Sequence, residues 1–464
     1  MKTYSIKTFG CQMNHSDSER IAAVCESMGY KKASEYEIAD LYVVNSCSVR
    51  QKAEDRVYGL MRNLQKLKSK KPEIKTVLTG CMAKRDIRQG QKKSLLYQQK
   101  YQETLKKQIP ALDIVIEISE IHKLPEILGK KVNINPVEYL SIKPKYNSTF
   151  QAFVPISTGC NKFCTFCIVP FTRGEEVYRP YEEIYNEVQS LVTNNYKEIT
   201  LLGQNVNSWR SDTTGHLKIP IPKYRDQNLI PKEYLDFPYL MESLADIEGD
   251  FWLRFTSSHP YDINPRLIEV IAQKDNIAKQ VHFALQSGSD SVLKRMNRYY
   301  TVSEFKEKVD FIRRTIPNVA ITTDIIVGFC GETDKEFEET LKVCEEIKFD
   351  QIYIAEYSQR QGTIAAKFYK DDVPVAIKAQ RKQLLEEVLK KGALENNKRL
   401  IGTTQKALVY QQKKGTKEGL IARTTHGKDV FIECDEDCSH LIGNFVYVKI
   451  QQAKEFVLEG YLIK

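Results

Sequence analysis

Nine residues, Gly159-Cys160-Asn161-Lys162-Phe163-Cys164-Thr165-Phe166-Cys167, constrain this chain more than any other stretch. Three thiolates at CxxxCxxC spacing can hold three irons of a cubane iron–sulfur cluster, and no fourth cysteine follows nearby to take the last iron. One iron is thereby left open to a ligand that is not protein. A zinc site would want a fourth Cys or His at short spacing, and His122, His216 and His259 are too distant in sequence to suggest one. The spacing favours a 4Fe-4S cluster over a zinc knuckle or three packed thiols.

Upstream of that loop the pattern is strand, helix, strand, helix, strand. Tyr4 to Phe9 alternates polar and apolar side chains, Asp17 to Met28 is helical in period, and Leu41 to Val44 is a short apolar strand. Val49 to Leu67 is again helical, and Thr76 to Leu78 forms a third strand. Cys11, Cys47 and Cys81 each fall just beyond a strand, where ligand sites collect in open parallel α/β sheets. This placement predicts a second three-cysteine cluster with its own open iron. Cys25, on the apolar face of the first helix, reads as core. The opening MKTYSIKTFG has no basic and then apolar leader, and no apolar run reaches membrane-spanning length. A cytoplasmic protein is expected, whose eleven cysteines are metal ligands or free thiols rather than disulfides.

From Phe153 the alternation of apolar strands and amphipathic helices resumes. Candidate strands at Phe153–Ser157, Glu198–Leu202, Trp252–Ser257, Val281–Leu285, Ile321–Val327 and Gln351–Tyr357 predict a six-stranded partial (β/α) barrel with its site at the strands' C-terminal ends. The cysteine loop follows the first of these, Gly203-Gln204-Asn205-Val206-Asn207 the second, and Gln286-Ser287-Gly288-Ser289-Asp290 the fourth. Ile326-Val327-Gly328-Phe329-Cys330-Gly331-Glu332 spans the end of the fifth. Glycines there let a small molecule approach the backbone, and Gln and Asn offer both donors and acceptors. Gln89–Gln108 reads as a polar helical insertion without chemistry, Asn133–Ser148 as a linker, and Ser211–Pro238 as an excursion from the barrel.

Val373–Leu400 is a charged helix, and five short strands follow at Lys406–Tyr410, Gly419–Arg423, Asp429–Glu433, Phe445–Ile450 and Glu455–Leu462. They fit a small OB-like barrel of the kind that binds looped nucleic acid. The net charge of +9 and the lysine clusters 66–71 and 413–417 are compatible with a polyanionic partner. Cys434 and Cys438 read as a turn rather than a metal site. The expected division is 1–120, a linker 121–148, a barrel core 149–372, a connecting helix 373–397 and a C-terminal barrel 398–464.

The CxxxCxxC loop resembles the signature of the radical S-adenosylmethionine (SAM) enzymes. Phe9-Gly10-Cys11-Gln12-Met13-Asn14, Asn45-Ser46-Cys47-Ser48-Val49-Arg50, Gly80-Cys81, Pro170-Phe171-Thr172-Arg173-Gly174 and Leu201–Asn207 narrow the resemblance to the radical-SAM methylthiotransferases of the tRNA-modifying MiaB type. It runs through nearly the whole chain. It implies an N-terminal methylthiotransferase domain with an auxiliary cluster on Cys11, Cys47 and Cys81, a radical-SAM core with a cluster on Cys160, Cys164 and Cys167, and a C-terminal TRAM domain that holds tRNA.

The implied cofactors are two 4Fe-4S clusters and SAM, the latter near Gln204, Asn205, Gln286, Ser287, Ile326 and Gly328. The implied reaction is 2-methylthiolation of N6-isopentenyladenosine next to the anticodon, with SAM as methyl donor and radical source and an electron donor such as a flavodoxin-type protein. Rivals are a sister enzyme acting on N6-threonylcarbamoyladenosine, one acting on a ribosomal protein aspartate, and a non-catalytic iron–sulfur RNA-binding protein. Two positions depart from the family pattern: Cys330 and Gln361 stand where proline is usual, which bears on loop geometry.

Overall fold

The computed structural model describes residues 1–49, 51–84, 91–130, 132, 139–212, 234–413, 419–434 and 438–463. Outside them lie Arg50, the start of the 89–108 segment, part of the 133–148 stretch, most of 211–238, Lys414, Lys417 and the acidic run 435–437.

The N-terminal sheet is wholly parallel, in the order β2 (Lys31–Lys32), β1 (Thr3–Phe9), β3 (Leu41–Ser46), β4 (Lys75–Gly80), β5 (Ile114–Val115). β3 is buried along its whole length because its two faces serve two cores. Leu41 and Val43 pack with helix Gln12–Ser27, and Tyr42 and Val44 with the side of helix Gln51–Lys68. The register sets Phe9 beside Ser46 and Ser46 beside Gly80, so all three strands end in line.

One reading of this region changes. The stretch read as a linker belongs in part to the first core: Ile121, Leu124, Tyr139, Leu140 and Ile142 are buried against the first helix. Their apolar positions are scattered among Lys and Glu, so no period marks them, yet the helix face they cover would otherwise face water. The 89–108 segment is a helix as expected, Gln91–Gln108, and it is anchored, with Leu105 buried in the second core. Its Gln98 amide donates to Ala83 O at 2.9 Å and its Tyr101 hydroxyl to Met82 O at 3.0 Å, bracing the turn that holds Cys81.

The central barrel is built from two parallel three-stranded sheets. One runs β6 (Gln151–Pro155), β9 (Glu198–Leu202), β12 (Trp252–Phe255), and the other β13 (Gln280–His282), β14 (Ala320–Val327), β15 (Gln351–Glu356). Isolated bridges at Leu253–Ile277 and Ser258–Phe283 join them. β12 stops short of the predicted end, just before the left-handed Ser257 (φ 67°), and β13 ends at His282, the chain bridging back to β14 at the left-handed Gln286 (φ 74°). Ile199, Leu201, Leu253, Phe255, Ile321 and Ile325 face the surrounding helices in the largest core. Two small antiparallel pairs, β7 (Ser157–Thr158) with β8 (Val177–Tyr178) and β10 (Arg210–Asp212) with β11 (Tyr234–Asp236), decorate this barrel.

Helix Val375–Lys398 leads to a closed barrel of β16 (Thr404–Lys413), β17 (Gly419–Thr424), β18 (Asp429–Glu433), β20 (Val457–Leu462) and β19 (Phe445–Ala453). Its β17–β18 turn docks against the N-terminal ends of the core strands. Arg254 donates to Thr424 O at 2.7 Å and Thr425 O at 3.2 Å while pairing with buried Glu198, and Lys428 meets Asp350 at 2.5 Å. Trp252 and Phe445 pack ring to ring at 4.5 Å. Among the described residues no helix is long and apolar enough to cross a membrane.

Candidate functional site

The loop that carries Cys160, Cys164 and Cys167 is laced to three distant segments. Thr165 N donates to Met296 O at 3.0 Å and its hydroxyl to Arg295 O at 2.9 Å, Ala365 N donates to Thr165 O at 2.8 Å, and Gly159 N donates to Gln204 Oε1 at 2.6 Å. Gly159 (φ 83°) is required here, since a Cβ would fall 2.0 Å from Glu175 O. Phe163, between the first two cysteines, is itself left-handed at φ 50°, and its carbonyl accepts from Asn297 Nδ2 at 3.0 Å. Phe166 packs edge to face on Phe329 at 6.4 Å. Burial pushes the Cys160 thiol well above its ordinary value and Cys167 to about 12. Arg298 sets its Nη1 3.1 Å from Cys164 Sγ, with its remaining donors on Tyr300 Oη and Ala284 O.

Cys11, Cys47 and Cys81 meet at the C-terminal edge of the first sheet, as the strand register dictates. The Cys47 thiol lies close enough to both partners for their protons to interact. That contact lowers Cys11 to about 6 and Cys81 to about 5, with the charge of Arg173 helping both, and pushes Cys47 up, so the trio titrates as a unit. Gly80 (φ 83°) turns the chain into Cys81 where a Cβ would strike Asn45 Oδ1 and Ser46 O. Asn14 and Asn45 tie the strand ends together, Asn14 Nδ2 to Asn45 Oδ1 at 3.1 Å and Asn45 Nδ2 to Asn14 O at 2.8 Å.

The two trios are neighbours: Cys81 is near enough to raise the Cys167 thiol electrostatically. Arg173, from the core, crosses to the N-terminal domain, its Nε 3.3 Å from Cys81 Sγ and its two terminal nitrogens on Asp17. Arg360 does the same at the Cys47 loop, donating to Val49 O at 3.0 Å and Gln51 Oε1 at 2.7 Å. Sequence reasoning missed Arg298 and Arg360, which lie far in sequence from the groups they touch. Arg173 sat in a motif that was noticed, without a role.

The residues expected near SAM occupy the core's C-terminal mouth with different degrees of freedom. Gln204 braces the cysteine loop, while the buried Asn205 amide donates to Asp262 Oδ2 at 2.6 Å and accepts from His259 N at 3.2 Å. Gln286 joins β14 through both its backbone groups. Ser287 is fully buried, its hydroxyl 3.3 Å from Thr340 Oγ1. Gly328 N donates to Glu332 Oε2 at 2.6 Å, and Glu332 is in turn gripped by Arg381 of the connecting helix at 2.8 Å. Ile326 is half-buried beside the Phe329 group. Cys330 is 3% exposed in that group and burial raises its thiol, so it is an inert core side chain in place of the usual proline. Cys25 is core as expected, and Cys434 and Cys438 are half-buried.

Among the described residues, no three His, Cys, Asp or Glu side chains gather as ligands of a single metal ion. Each cysteine of a cubane binds a different iron, so the donor set of either trio suits a cluster rather than one ion. The mouth also presents buried polar atoms without protein partners: Ser157 Oγ after β6, both amide atoms of Asn207 after β9, and Ser258 Oγ and His259 Nε2 after β12. Burying such atoms unpaired costs about 1–3 kcal/mol each, and a polar ligand in the mouth removes that cost. The left-handed Phe163, Ser257 and Gln286 gather at the same end of the core, where strain of this kind marks a working site.

Residues 3–101 match the uncharacterized protein family UPF0004, residues 154–344 the radical SAM superfamily and residues 398–463 the TRAM domain. The chain is 39% identical, over 98% of its length and 96% of the relative, to a tRNA-2-methylthio-N(6)-dimethylallyladenosine synthase of Clostridium botulinum. Relatives with that same name in Thermoanaerobacter pseudethanolicus (99% of this chain, 93% of the relative) and Caldicellulosiruptor saccharolyticus (100% and 93%) are each 38% identical. Among solved structures, the radical S-adenosylmethionine methyltransferase TsrM from Kitasatospora setae aligns at TM-score 0.47 and 10% identity over 90% of this chain and 80% of that one.

Proposed function

Because the chain belongs to the radical-SAM family of tRNA-2-methylthio-N(6)-dimethylallyladenosine synthases, we propose that it converts N6-isopentenyladenosine next to the tRNA anticodon to its 2-methylthio derivative. A 4Fe-4S cluster and SAM come with the radical-SAM family. The reading here goes further, to two clusters, one on Cys160, Cys164 and Cys167 and one on Cys11, Cys47 and Cys81. The single observation that carries it is the approach of the two trios across one domain interface, with Cys81 felt at Cys167 and Arg173 spanning the gap.

The C2–H of adenine is neither acidic nor attached to a leaving group, so acid–base work alone cannot replace it with sulfur. When bound, SAM and the clusters supply the methyl group and the radical chemistry that this position demands. The chain's own part is to hold and shield. Phe163 and Phe166 cover the cysteine loop, and Gly159 and Gln204 fix its entry. Ser157, Asn207, Ser258 and His259 offer unpaired donors and acceptors to a polar ligand. We assign Gln204, Asn205, Gln286, Ser287, Ile326 and Gly328 to the walls of the SAM site. In this assignment Gln204, Asn205 and Ser287 act by positioning their neighbours, since their side chains are already bonded to protein. The C-terminal barrel holds the tRNA, and the enzyme works in the cytoplasm with an electron donor of the flavodoxin class.

Two substitutions separate the roles. Cys164→Ala abolishes SAM cleavage, whereas Cys47→Ala retains it and makes no methylthio product; product from the Cys47 variant would remove the second cluster from the reading. Mass spectrometry of tRNA nucleosides from cells with and without the protein tests the substrate. Loss of the threonylcarbamoyl derivative instead would transfer the assignment to the sister reaction.

A further inference from the structure

We propose that Arg173 is a positioning residue that sets the redox poise of the N-terminal cluster, through a charge-assisted hydrogen bond from the radical-SAM core to the Cys81 sulfur. The inference rests on the reading that Cys11, Cys47 and Cys81 hold a cluster. Arg173 closes helix Val169–Thr172, its N–H donating to Val169 O at 2.8 Å, so its side chain leaves the core at a fixed point. The guanidinium is then held as a plane. Nη1 and Nη2 form a fork on the two oxygens of Asp17, and Nε is thereby aimed at Cys81 Sγ 3.3 Å away. The Arg173 and Asp17 side chains are 2% and 0% exposed, and Tyr139 donates its hydroxyl to Asp17 from behind. Water cannot screen this charge, and the side chain has nowhere else to go.

A hydrogen bond from a cation to a ligand sulfur stabilises the more negative, reduced form of an iron–sulfur cluster and raises its potential. Asp17 offsets part of the arginine charge, so the carboxylate works in the opposite sense. Lysine cannot reproduce the arrangement: it keeps the charge but lacks the planar fork that reaches Asp17 and the sulfur together.

The test isolates this cluster by changing Cys160, Cys164 and Cys167 to Ala in the full chain, reconstituting iron and sulfide anaerobically, and titrating the remaining cluster by EPR at poised potentials. In that background R173Q is expected to shift the midpoint potential negative, R173K to shift it less, and D17N to shift it positive. Opposite signs from the two partners of one ion pair are not produced by a merely structural role. An unchanged potential in both R173Q and R173K, with iron still bound, overturns the inference and leaves the two-cluster reading standing. If R173Q loads poorly, R173K decides: a potential equal to the parent's overturns the inference, and a negative shift supports it. Absence of iron from the triple-alanine parent overturns the two-cluster reading and the inference with it.

Discussion

Cys160, Cys164 and Cys167 leave a single loop, whereas Cys11, Cys47 and Cys81 leave three parallel strands, and the two trios depend on different parts of the fold. The loop trio is carried by local chain geometry and by bonds to segments of its own domain, Met296 and Ala365 among them. The strand-end trio exists only while β1, β3 and β4 keep their register, and a slip of one residue moves a sulfur by about 3.3 Å. It also leans on another domain, through Arg173 at Cys81 and Arg360 at Val49. Each trio has an arginine at one sulfur, yet only that of the strand-end trio is clamped by a buried carboxylate. A site gathered from distant strands needs an external brace that a site made in one loop does without.

The hardest strain on this contrast is Asp17→Ala, which leaves Arg173 buried without its carboxylate, a defect worth about 3–5 kcal/mol. The N-terminal domain is expected to melt earlier and, on heating, to release its iron at a lower temperature than the loop trio releases its own. Iron counts falling equally at both trios would break the distinction.

Acidification probes a region remote from both. His426, half-buried in the turn beneath the core, has its pKa lowered from 6.5 to about 4, first by burial and then by Lys428, Arg254 and Lys279, with Asp350 opposing. Its neutral form is the one the fold accepts. The docking energy is therefore full above pH 6.5 and is lost as pH falls towards 4, by at most about 3 kcal/mol. Hydrogen exchange in β17 and β18 should rise over that window in the native chain and stay flat in His426→Asn, with neither trio affected. A native chain whose exchange ignores pH would remove the docking role.

Smaller and more selective are Gly80→Ala and Gly159→Ala, each forcing a Cβ into a left-handed position against a carbonyl, at roughly 1–3 kcal/mol. Iron loss should follow the substituted trio in each case, and cross-over between them would show that the trios are not independent. Smallest is Arg360→Ala, expected to cost about 1.5 kcal/mol by releasing the Val49 carbonyl and Gln51. Amide exchange at residues 47–49, 51 and 52 should quicken, with 159–167 unchanged.

The same contrast explains what the sequence disclosed. The loop trio is contiguous, so its spacing alone announced it. Cys11, Cys47 and Cys81 were found because each follows a recognisable strand, and parallel strands gather their C-terminal ends by rule. The closed C-terminal barrel and the six core strands were likewise visible as periodic segments. What escaped was whatever depends on contact between segments distant in the chain: the arginine contacts, the Gln98 and Tyr101 props beneath Cys81, and Ile121, Leu124, Tyr139, Leu140 and Ile142 against the first helix. The left-handed Ser257 and Gln286 were also invisible, since neither is a glycine and only the folded barrel imposes their conformation.

The docking of the β17–β18 turn at the foot of the core has a geometric corollary. The whole height of the parallel strands, eight residues in β14 or roughly 25 Å, stands between that turn and the cysteine mouth. If the barrel holds the tRNA as proposed, a nucleic acid gripped below and modified above would have to reach along the flank like the jaw of a caliper. On that reading an isolated nucleoside would engage one jaw alone, and a folded hairpin whose stem bridges both is expected to be the better substrate.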